Sequence, residues 1–304
     1  MYSGIRRNQI AYLRCPDDGH ELAVATANVD ASGAIVQGAL TCASCARRFE
    51  IRDGIVIMRV DATAHDESRK EERQRDQDAQ QAGFAWEAES ASAAEIDATL
   101  AALEPLREKT VLELGCGCGR YTHRLARQAE TVIAVDFSLE SLRRLASRLE
   151  RQDPVALVCA DVTLFKVAPG GFDRALSTLT SNLPTAEHRR ALNRLAASAL
   201  GAEGRFVFSA HYLGLRERLH GEQKDGHYPG SGIYRYLFGF SELRTETLSH
   251  FDDVRCRRIQ VLVPLLGRVR SLARALSRIG EHIPGLNRFA GLLLVTARRP
   301  RSQS

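Results

Sequence analysis

Three glycines at alternate positions follow a short apolar stretch near the middle of the chain. The stretch reads Val111-Leu112-Glu113-Leu114-Gly115-Cys116-Gly117-Cys118-Gly119. Glycine allows a tight turn and lets a ligand approach the main chain, next to the amides that begin a helix. Acids end the next two apolar stretches, at Asp136 and Asp161. Asp136 is placed to accept hydrogen bonds from the hydroxyls of a ribose, and Asp161 to bind the amino group of an adenine. The pattern therefore predicts a nucleoside site.

A sheet must position these residues, and the chain beyond residue 105 alternates strand and helix patterns. This alternation is typical of an α/β domain with a mostly parallel sheet. The predicted strands are Thr110–Leu114, Thr131–Asp136, Ala156–Ala160, Phe172–Ser177 and Arg205–Ser209. The predicted helices are Tyr121–Arg127, Leu139–Leu149, Ala186–Leu200 and Ser241–Phe251. Two further apolar runs, Arg258–Val263 and Leu292–Ala297, complete a predicted seven-stranded sheet.

Three motifs together resemble the class I S-adenosylmethionine-dependent methyltransferases. They are E-x-G-x-G-x-G at Glu113–Gly119, A-V-D-F-S at Ala134–Ser138 and A-D-V at Ala160–Val162. The resemblance covers roughly residues 105–300 and implies a Rossmann-like fold with S-adenosyl-L-methionine as the cofactor. The cofactor-binding residues that it implies are Glu113, Gly115, Cys116, Gly117, Gly119, Asp136, Phe137, Ser138, Asp161, Val162 and Ser177. A dinucleotide dehydrogenase is less compatible, because its G-x-G-x-x-G motif places the third glycine one residue later.

Cysteines mark a second candidate site near the amino terminus. Cys15-Pro16-Asp17-Asp18 and Cys42-Ala43-Ser44-Cys45 both fall at predicted β-turns, and two such knuckles can supply four zinc ligands. Residues 11–60 resemble the small zinc ribbons that precede some rRNA guanine methyltransferases and the small ribbon proteins that activate other methyltransferases. Asp18 stands where the second cysteine is expected, so Asp18 or His20 completes a structural zinc site, or the ribbon holds no metal.

The chain is predicted to contain a small ribbon and one larger domain. Residues 1–60 read as a small β module, residues 61–82 as a charged linker or helix, and residues 83–304 as the methyltransferase domain. Residues 83–107 carry an amphipathic helical pattern. Insertions are expected at 211–238 and 264–289.

The acceptor side of the site is less defined by sequence. Methyl transfer is an in-line displacement, which needs positioning first and a base only for a neutral hydroxyl or amine. His211 follows the fifth predicted strand and is a candidate base. Tyr234 and Arg235 lie in the 211–238 insertion, which we expect to form a lid over the acceptor. A small-molecule acceptor is the leading interpretation. An RNA base methyltransferase and a non-catalytic partner protein are the alternatives.

The distribution of charged residues in the chain bears on three kinds of partner: RNA, an acidic substrate and a membrane surface. The net charge is +5, but the basic residues are almost all arginine, with four lysines among 42, so overall charge is weak support for RNA binding. Residues 255–301 hold eleven arginines and one acid, Glu281. Within them, 264–289 reads as a helix with an apolar face that includes Ile279. Its basic face is solvated, lines the pocket of an acidic substrate, or meets a membrane surface.

The sequence has neither a signal peptide nor a membrane span of about eighteen apolar residues, so we expect a cytoplasmic protein. The oligomeric state is left open.

Overall fold

A computed structural model describes residues 2–59, 66–81, 90–179, 183–261 and 277–301 of the chain. Its helices are α1 (Arg7–Ile10), α2 (Asp66–Gln80), α3 (Ser90–Leu103), α4 (Thr122–Leu125), α5 (Leu139–Ala146), α6 (Ala186–Ala199), α7 (Leu215–Leu219) and α8 (Phe240–Leu248). Its strands are β1 (Leu13–Arg14), β2 (Leu22–Val29), β3 (Ile35–Cys42), β4 (Arg48–Arg52), β5 (Ile55–Ile57), β6 (Thr110–Leu114), β7 (Thr131–Asp136), β8 (Val155–Cys159), β9 (Lys166–Val167), β10 (Phe172–Thr178), β11 (Leu200–His211), β12 (Asp225–His227), β13 (Tyr234–Tyr236), β14 (Phe251–Val261) and β15 (Ala290–Pro300).

The central strands are covered by other parts of the protein on both faces. Every residue of β6, β7 and β8 is buried, which is typical of parallel strands packed between two layers of helices. On one face, α5 packs Leu142 and Leu145 inward and leaves its arginines outside. Ser138 is the N-cap of α5. Its Oγ accepts a hydrogen bond from the amide of Ser141 at 3.1 Å, which fixes the first turn of the helix.

Eleven of the described strands form one sheet in the order β14-β15-β11-β10-β6-β7-β8-β5-β4-β3-β2. Neighbouring strands from β11 through β10, β6 and β7 to β8 are parallel, and β15 is antiparallel to both β11 and β14. The chain moves outward from β6 in one direction through β7 and β8, then returns to β10 and moves in the other. Ligands of open α/β sheets bind at such a reversal, beside the carboxyl ends of the strands. The predicted α/β, Rossmann-like fold is confirmed.

The amino-terminal β module joins the same sheet. Strand β5 lies parallel to β8, with Ile55 opposite Leu157 and Ile57 opposite Cys159, and β1 pairs with β9. Apolar residues from both parts share a single core cluster. The module expected at 1–60 therefore extends the main sheet, and the domain boundaries stay a prediction.

The segments between the main elements are partly described. Residues 66–80 of the expected linker form α2, which packs on α5. Of the amphipathic pattern at 83–107, residues 83–89 lie outside the described residues, and α3 begins at Ser90. The 211–238 insertion contains α7 and the hairpin of β12 and β13. Of the 264–289 insertion, residues 264–276 lie outside the described residues; residues 277–282 are helical and Leu286–Phe289 form a 3-10 helix.

Among the described residues, no helix is both long and apolar enough to cross a membrane.

Candidate functional site

The glycine loop that follows β6 has a backbone that requires glycine. Gly115, Gly117 and Gly119 have φ angles of 75°, 51° and 91°, in the left-handed region that other residues rarely adopt. A Cβ on Gly119 would lie 2.3 Å from Cδ1 of Leu145, whereas a Cβ on Gly117 would meet nothing within 4 Å. Gly119 is therefore needed for close packing on α5, and Gly117 faces open space in which a ligand fits.

Asp136, the last residue of β7, is tied directly to this loop. The amides of Gly117 and Ser138 donate to its two carboxylate oxygens at 2.8 and 2.9 Å. Burial raises its pKa to about 6, although the two amides act in the opposite direction. Because burial opposes the charged form, a bound group that donates further hydrogen bonds will stabilise this carboxylate.

Glu113 lies beneath the same loop. Its side chain is buried, and its Oε2 accepts a hydrogen bond from the hydroxyl of Thr122 at 2.8 Å. Burial raises the pKa of Glu113 to about 8, and the nearby charge of Asp136 adds to this increase. The carboxyl group holds the start of α4 against the loop. Cys116 is buried beside it.

The remaining predicted cofactor residues lie along the carboxyl edge of β7, β8 and β10. Asp161 follows β8, and its Oδ1 accepts hydrogen bonds from the amide and hydroxyl of Thr163 at 2.8 and 2.7 Å. Val162 is buried next to it, and the carbonyl of Phe137 accepts a hydrogen bond from Arg59 at 3.2 Å. Ser177 is fully buried near the end of β10, and within the described chain its hydroxyl has no hydrogen-bond partner. The structure thus brings the predicted residues to one edge of the sheet.

Sequence reasoning missed the role of α2, which lies beside this edge. Asp76 of α2 accepts hydrogen bonds from the hydroxyl of Ser138 at 2.6 Å and from the amide of Glu140 at 3.2 Å. Glu72 forms an ion pair of 2.8 Å with Arg59. Since α2 is almost entirely polar, its sequence resembles a solvated linker, and no sequence signal indicated these contacts.

A buried ion pair next to the glycine loop was also missed. Arg120 follows Gly119 and lies 2.6 Å from a carboxylate oxygen of Glu95 on α3, and both side chains are largely buried. The second oxygen of Glu95 accepts a hydrogen bond from Ser209 of β11 at 2.8 Å. Removing one partner of such a pair leaves a buried charge and costs several kcal/mol. The network therefore fixes the loop relative to α3 and β11.

His211 ends β11 and faces the 211–238 insertion. Its Nε2 is hydrogen-bonded with the hydroxyl of Tyr228, a residue that the sequence did not single out. Burial, with a smaller effect of Arg235, lowers the pKa of His211 to about 4. The imidazole is therefore neutral at pH 7 and is able to accept a proton.

The other two residues predicted on the acceptor side, Arg235 and Tyr234, lie in the same insertion as Tyr228. Each of them contacts a different residue. Arg235 binds Glu222 at 2.6 Å, and its guanidinium lies 5.8 Å from the ring centre of Tyr228. Its Nε is buried without a hydrogen-bond partner among the described residues. The ring of Tyr234 lies edge-on to His227, with 5.9 Å between the ring centres.

The cysteine cluster is brought together as a possible metal centre. Cys15, Asp18, Cys42 and Cys45 each place a ligand atom within 4.8 Å of the others. The sulfurs of Cys15 and Cys45 are 3.6 Å apart, and that of Cys42 is 3.4 Å from Asp18. Tetrahedral zinc with ~2.3 Å bonds to sulfur separates its ligands by ~3.8 Å, so the donor set fits zinc. His20 is outside this group, and its Nδ1 lies 3.3 Å from Asp18.

The sheet order, the glycine loop and the acid after the second central strand define a class I methyltransferase fold. In agreement with this class, residues 111–202 match the family described as "Methyltransferase domain". The matched segment runs from β6 to the first residues of β11 and so includes the glycine loop, Asp136 and Asp161.

Individual proteins resemble parts of the chain. An uncharacterized methyltransferase of Mycobacterium tuberculosis is 36% identical over 99 residues, which are 33% of this chain and 49% of that protein. Phosphoethanolamine N-methyltransferase 1 of Arabidopsis thaliana is 39% identical over 80 residues, 26% of this chain and 16% of that protein. The chain therefore matches about half or less of the length of these curated relatives.

A solved structure shows a similar fold over most of the chain. It is the Burkholderia thailandensis 1,6-didemethyltoxoflavin-N1-methyltransferase, with bound 1,6-didemethyltoxoflavin and S-adenosylhomocysteine. The TM-score is 0.55 at 20% identity, and the match covers 85% of this chain and 98% of that protein. At this identity the likeness supports the fold alone.

Proposed function

We propose that the protein is an S-adenosylmethionine-dependent methyltransferase that acts on a small-molecule acceptor. The observation that carries the proposal is the position of Asp136, a buried acid held by the amide of Gly117 at the end of β7. Burial raises its pKa in spite of the two amides that donate to it, so further donors would stabilise the carboxylate. The two hydroxyls of a ribose would supply them.

The described residues fit S-adenosyl-L-methionine along the whole carboxyl edge. Gly117 leaves open space, Asp136 would hold the ribose, and Asp161 with Val162 would border the adenine. The buried, unpartnered hydroxyl of Ser177 is available to the same ligand. The bound cofactor supplies a methyl group on a positively charged sulfur. The protein holds both reactants in line and keeps water away.

Calorimetry with S-adenosylmethionine, or with its demethylated product, tests the cofactor assignment. We expect Asp136→Asn to weaken binding by about 10- to 100-fold, the effect of losing a charged hydrogen bond. Asp253→Asn is the matched control, because Asp253 lies on the distant edge strand β14. Equal affinity of the wild-type protein and Asp136→Asn would contradict the ribose assignment.

On the acceptor side, His211 is the candidate base. Its neutral imidazole can accept the proton that an acceptor hydroxyl or amine loses as it attacks the methyl group. With a pKa of about 4 it is a weak base, so positioning of the acceptor would contribute more to the reaction than proton transfer. Tyr228 orients this imidazole through its hydroxyl, and the free Nε of Arg235 is available to an acceptor oxygen. The Arabidopsis relative and the Burkholderia neighbour are both named for methylation of small nitrogen compounds, which supports a small acceptor. Comparison of metabolites from wild-type and deletion cells would identify it.

RNA base methylation is the alternative, and the exposed arginines Arg255 and Arg257 on the edge strand β14 favour it. Binding to bulk tRNA or rRNA that weakens steeply with salt would support this alternative. Absence of RNA binding at low salt would exclude it. If the protein binds the cofactor but methylates neither metabolites nor RNA, it is a non-catalytic partner protein. A structural zinc in the ribbon and a cytoplasmic location belong to the same proposal.

A further inference from the structure

A group of exposed aliphatic side chains lies on α7 and on the segment after residue 277. Its members are between 37% and 72% exposed: Leu215, Leu219, Ile279, Ile283 and Leu286. The two parts adjoin, because a Cβ on Gly214, at the start of α7, would lie 2.8 Å from the carbonyl oxygen of Arg288. The sequence pattern had placed Ile279 on the apolar face of a packed helix, but it is 56% exposed. We call these five residues the aliphatic patch.

The exposed charges within the two segments that carry the aliphatic patch are all positive, and one of them, Arg278, is paired with Asp97 of α3 at 3.0 Å. Within 215–220 and 277–289, the exposed charged residues are Arg216, Arg218, Arg278 and Arg288. The two acids in these ranges, Glu217 and Glu281, are partly buried. Glu281 accepts a hydrogen bond from the amide of Gln260 at 2.9 Å. The surface is therefore apolar at its centre and predominantly cationic at its border, where Arg216, Arg218 and Arg288 outnumber the nearby acids.

We propose that the aliphatic patch docks the protein on an anionic lipid surface. Leucine and isoleucine side chains insert at the boundary between headgroups and acyl chains, while arginines remain at the level of the lipid phosphates. RNA fits less well, since five aliphatic side chains offer no ring on which a base stacks. A second copy related by a two-fold axis would bring the same arginine-rich borders against each other, where positive charges outnumber acids.

The aliphatic patch adjoins the acceptor end of the candidate site. Helix α7 begins four residues after His211, and the amide of Tyr212 donates to the carbonyl of Gly291 at 3.0 Å. Docking would thus bring the insertion that carries Tyr228 and Arg235 close to the lipid headgroups. Lipid binding itself does not depend on the proposed methyl transfer.

Sedimentation of the full chain with lipid vesicles tests the proposal. We expect binding to phosphatidylcholine vesicles that contain phosphatidylglycerol, and much weaker binding to phosphatidylcholine alone or at high salt. The double variant Leu219→Gln, Ile279→Gln should reduce partitioning about tenfold or more, since two side chains no longer enter the boundary. Replacing Arg216 and Arg288 with glutamine should reduce it about fivefold per arginine.

The controls share the chemistry of these variants but lie elsewhere. Val29→Gln removes an exposed apolar side chain from β2, and Arg107→Gln removes an exposed arginine before β6. Both should partition as the wild-type protein does. The proposal is overturned if the wild-type protein does not bind anionic vesicles at low salt, or if the patch variants bind as tightly as the controls. It is equally overturned if the patch variants abolish self-association or RNA binding and leave vesicle binding unchanged.

Discussion

Glu113 of β6 and Asp136 at the end of β7 are two buried carboxyl groups beneath the glycine loop, and the charge of Asp136 makes ionisation of Glu113 less favourable. Burial is the larger effect for both, with pKa values of about 8 and about 6. Glu113 is therefore mostly protonated at neutral pH, which leaves Asp136 as the anion of the pair. An acid in the apolar core is tolerated because it remains neutral.

Stability should depend on pH through Glu113. Its folded-state pKa is raised above its ordinary value of 4.5, so its contribution to stability is fully present below pH ~4.5 and is lost as the pH rises to ~8. Glu113→Gln keeps an acceptor for Thr122 and cannot ionise. We expect the free energy of unfolding of Glu113→Gln, relative to wild type, to increase by at least about 2 kcal/mol between pH 5 and pH 9.

Denaturant titrations at several pH values measure this difference. Glu108→Gln is the control, because its side chain is largely exposed and its effect should not vary with pH in this range. A difference between Glu113→Gln and wild type that stays constant with pH would show that Glu113 ionises freely in the folded protein.

Among the elements, α2 is held by polar contacts and contributes one buried residue, Ala79. It reaches the hairpin of β12 and β13 through Glu67, whose carboxylate lies 3.3 Å from Nε2 of His227. Polar contacts exposed to water are individually weak. We therefore expect α2 and the hairpin to open and close over the cofactor on a short timescale.

Hydrogen exchange with and without S-adenosylhomocysteine measures this motion. Amides of α2 and of residues 212–238 should exchange quickly in the free protein and more slowly in the complex. Asp76→Ala removes the acceptor for Ser138 and Glu140, and we expect about fivefold to tenfold weaker cofactor binding. Asp78→Ala is the matched control on the same helix, since Asp78 accepts a hydrogen bond only from Gln74 within α2. In the exchange experiment, equal and strong protection with and without the ligand would mean that α2 and the insertion are rigid.

The positions of the strands could be predicted from the sequence, whereas contacts between distant elements could not. Strands β7 and β8 are almost continuous apolar runs, so their positions follow from local pattern alone. The acids that end or follow them, Asp136 and Asp161, were found for the same reason. The contacts of α2 and the Tyr228–His211 pair depend on which distant segments meet, and that information is absent from local patterns. The choice of Asp18 over His20 in the cysteine cluster likewise depends on side-chain direction within one short turn.

At the scale of the whole molecule, the amino-terminal β module, which we predict to be a ribbon, shares one sheet and one core with the strands that follow it. Loss of metal from the ribbon should therefore destabilise the entire chain. If zinc is bound, the purified protein carries about one equivalent, and Cys42→Ser should release it. We expect the thermal midpoint to fall in a single transition, by about 4 °C or more.

Metal analysis and calorimetry of Cys42→Ser test this expectation. Cys256→Ser is the control, because Cys256 lies on β14, outside the cluster. A folded wild-type protein without zinc would mean that apolar packing alone holds the ribbon. Two separate transitions in Cys42→Ser would show that the ribbon unfolds independently of the main domain.

The parallel pairing of β5 with β8 has a consequence for how the protein is made. The ribosome synthesises β5 nearly a hundred residues before β8. The backbone edge of β5 that pairs with β8 therefore stays unpaired during this part of synthesis. The reverse situation arises in a chain shortened to begin at α3, which would leave β8 with its backbone amides and carbonyls exposed. Open edges of this kind recruit strands from other molecules. A shortened chain would therefore be expected to aggregate even though every residue of its glycine loop is retained.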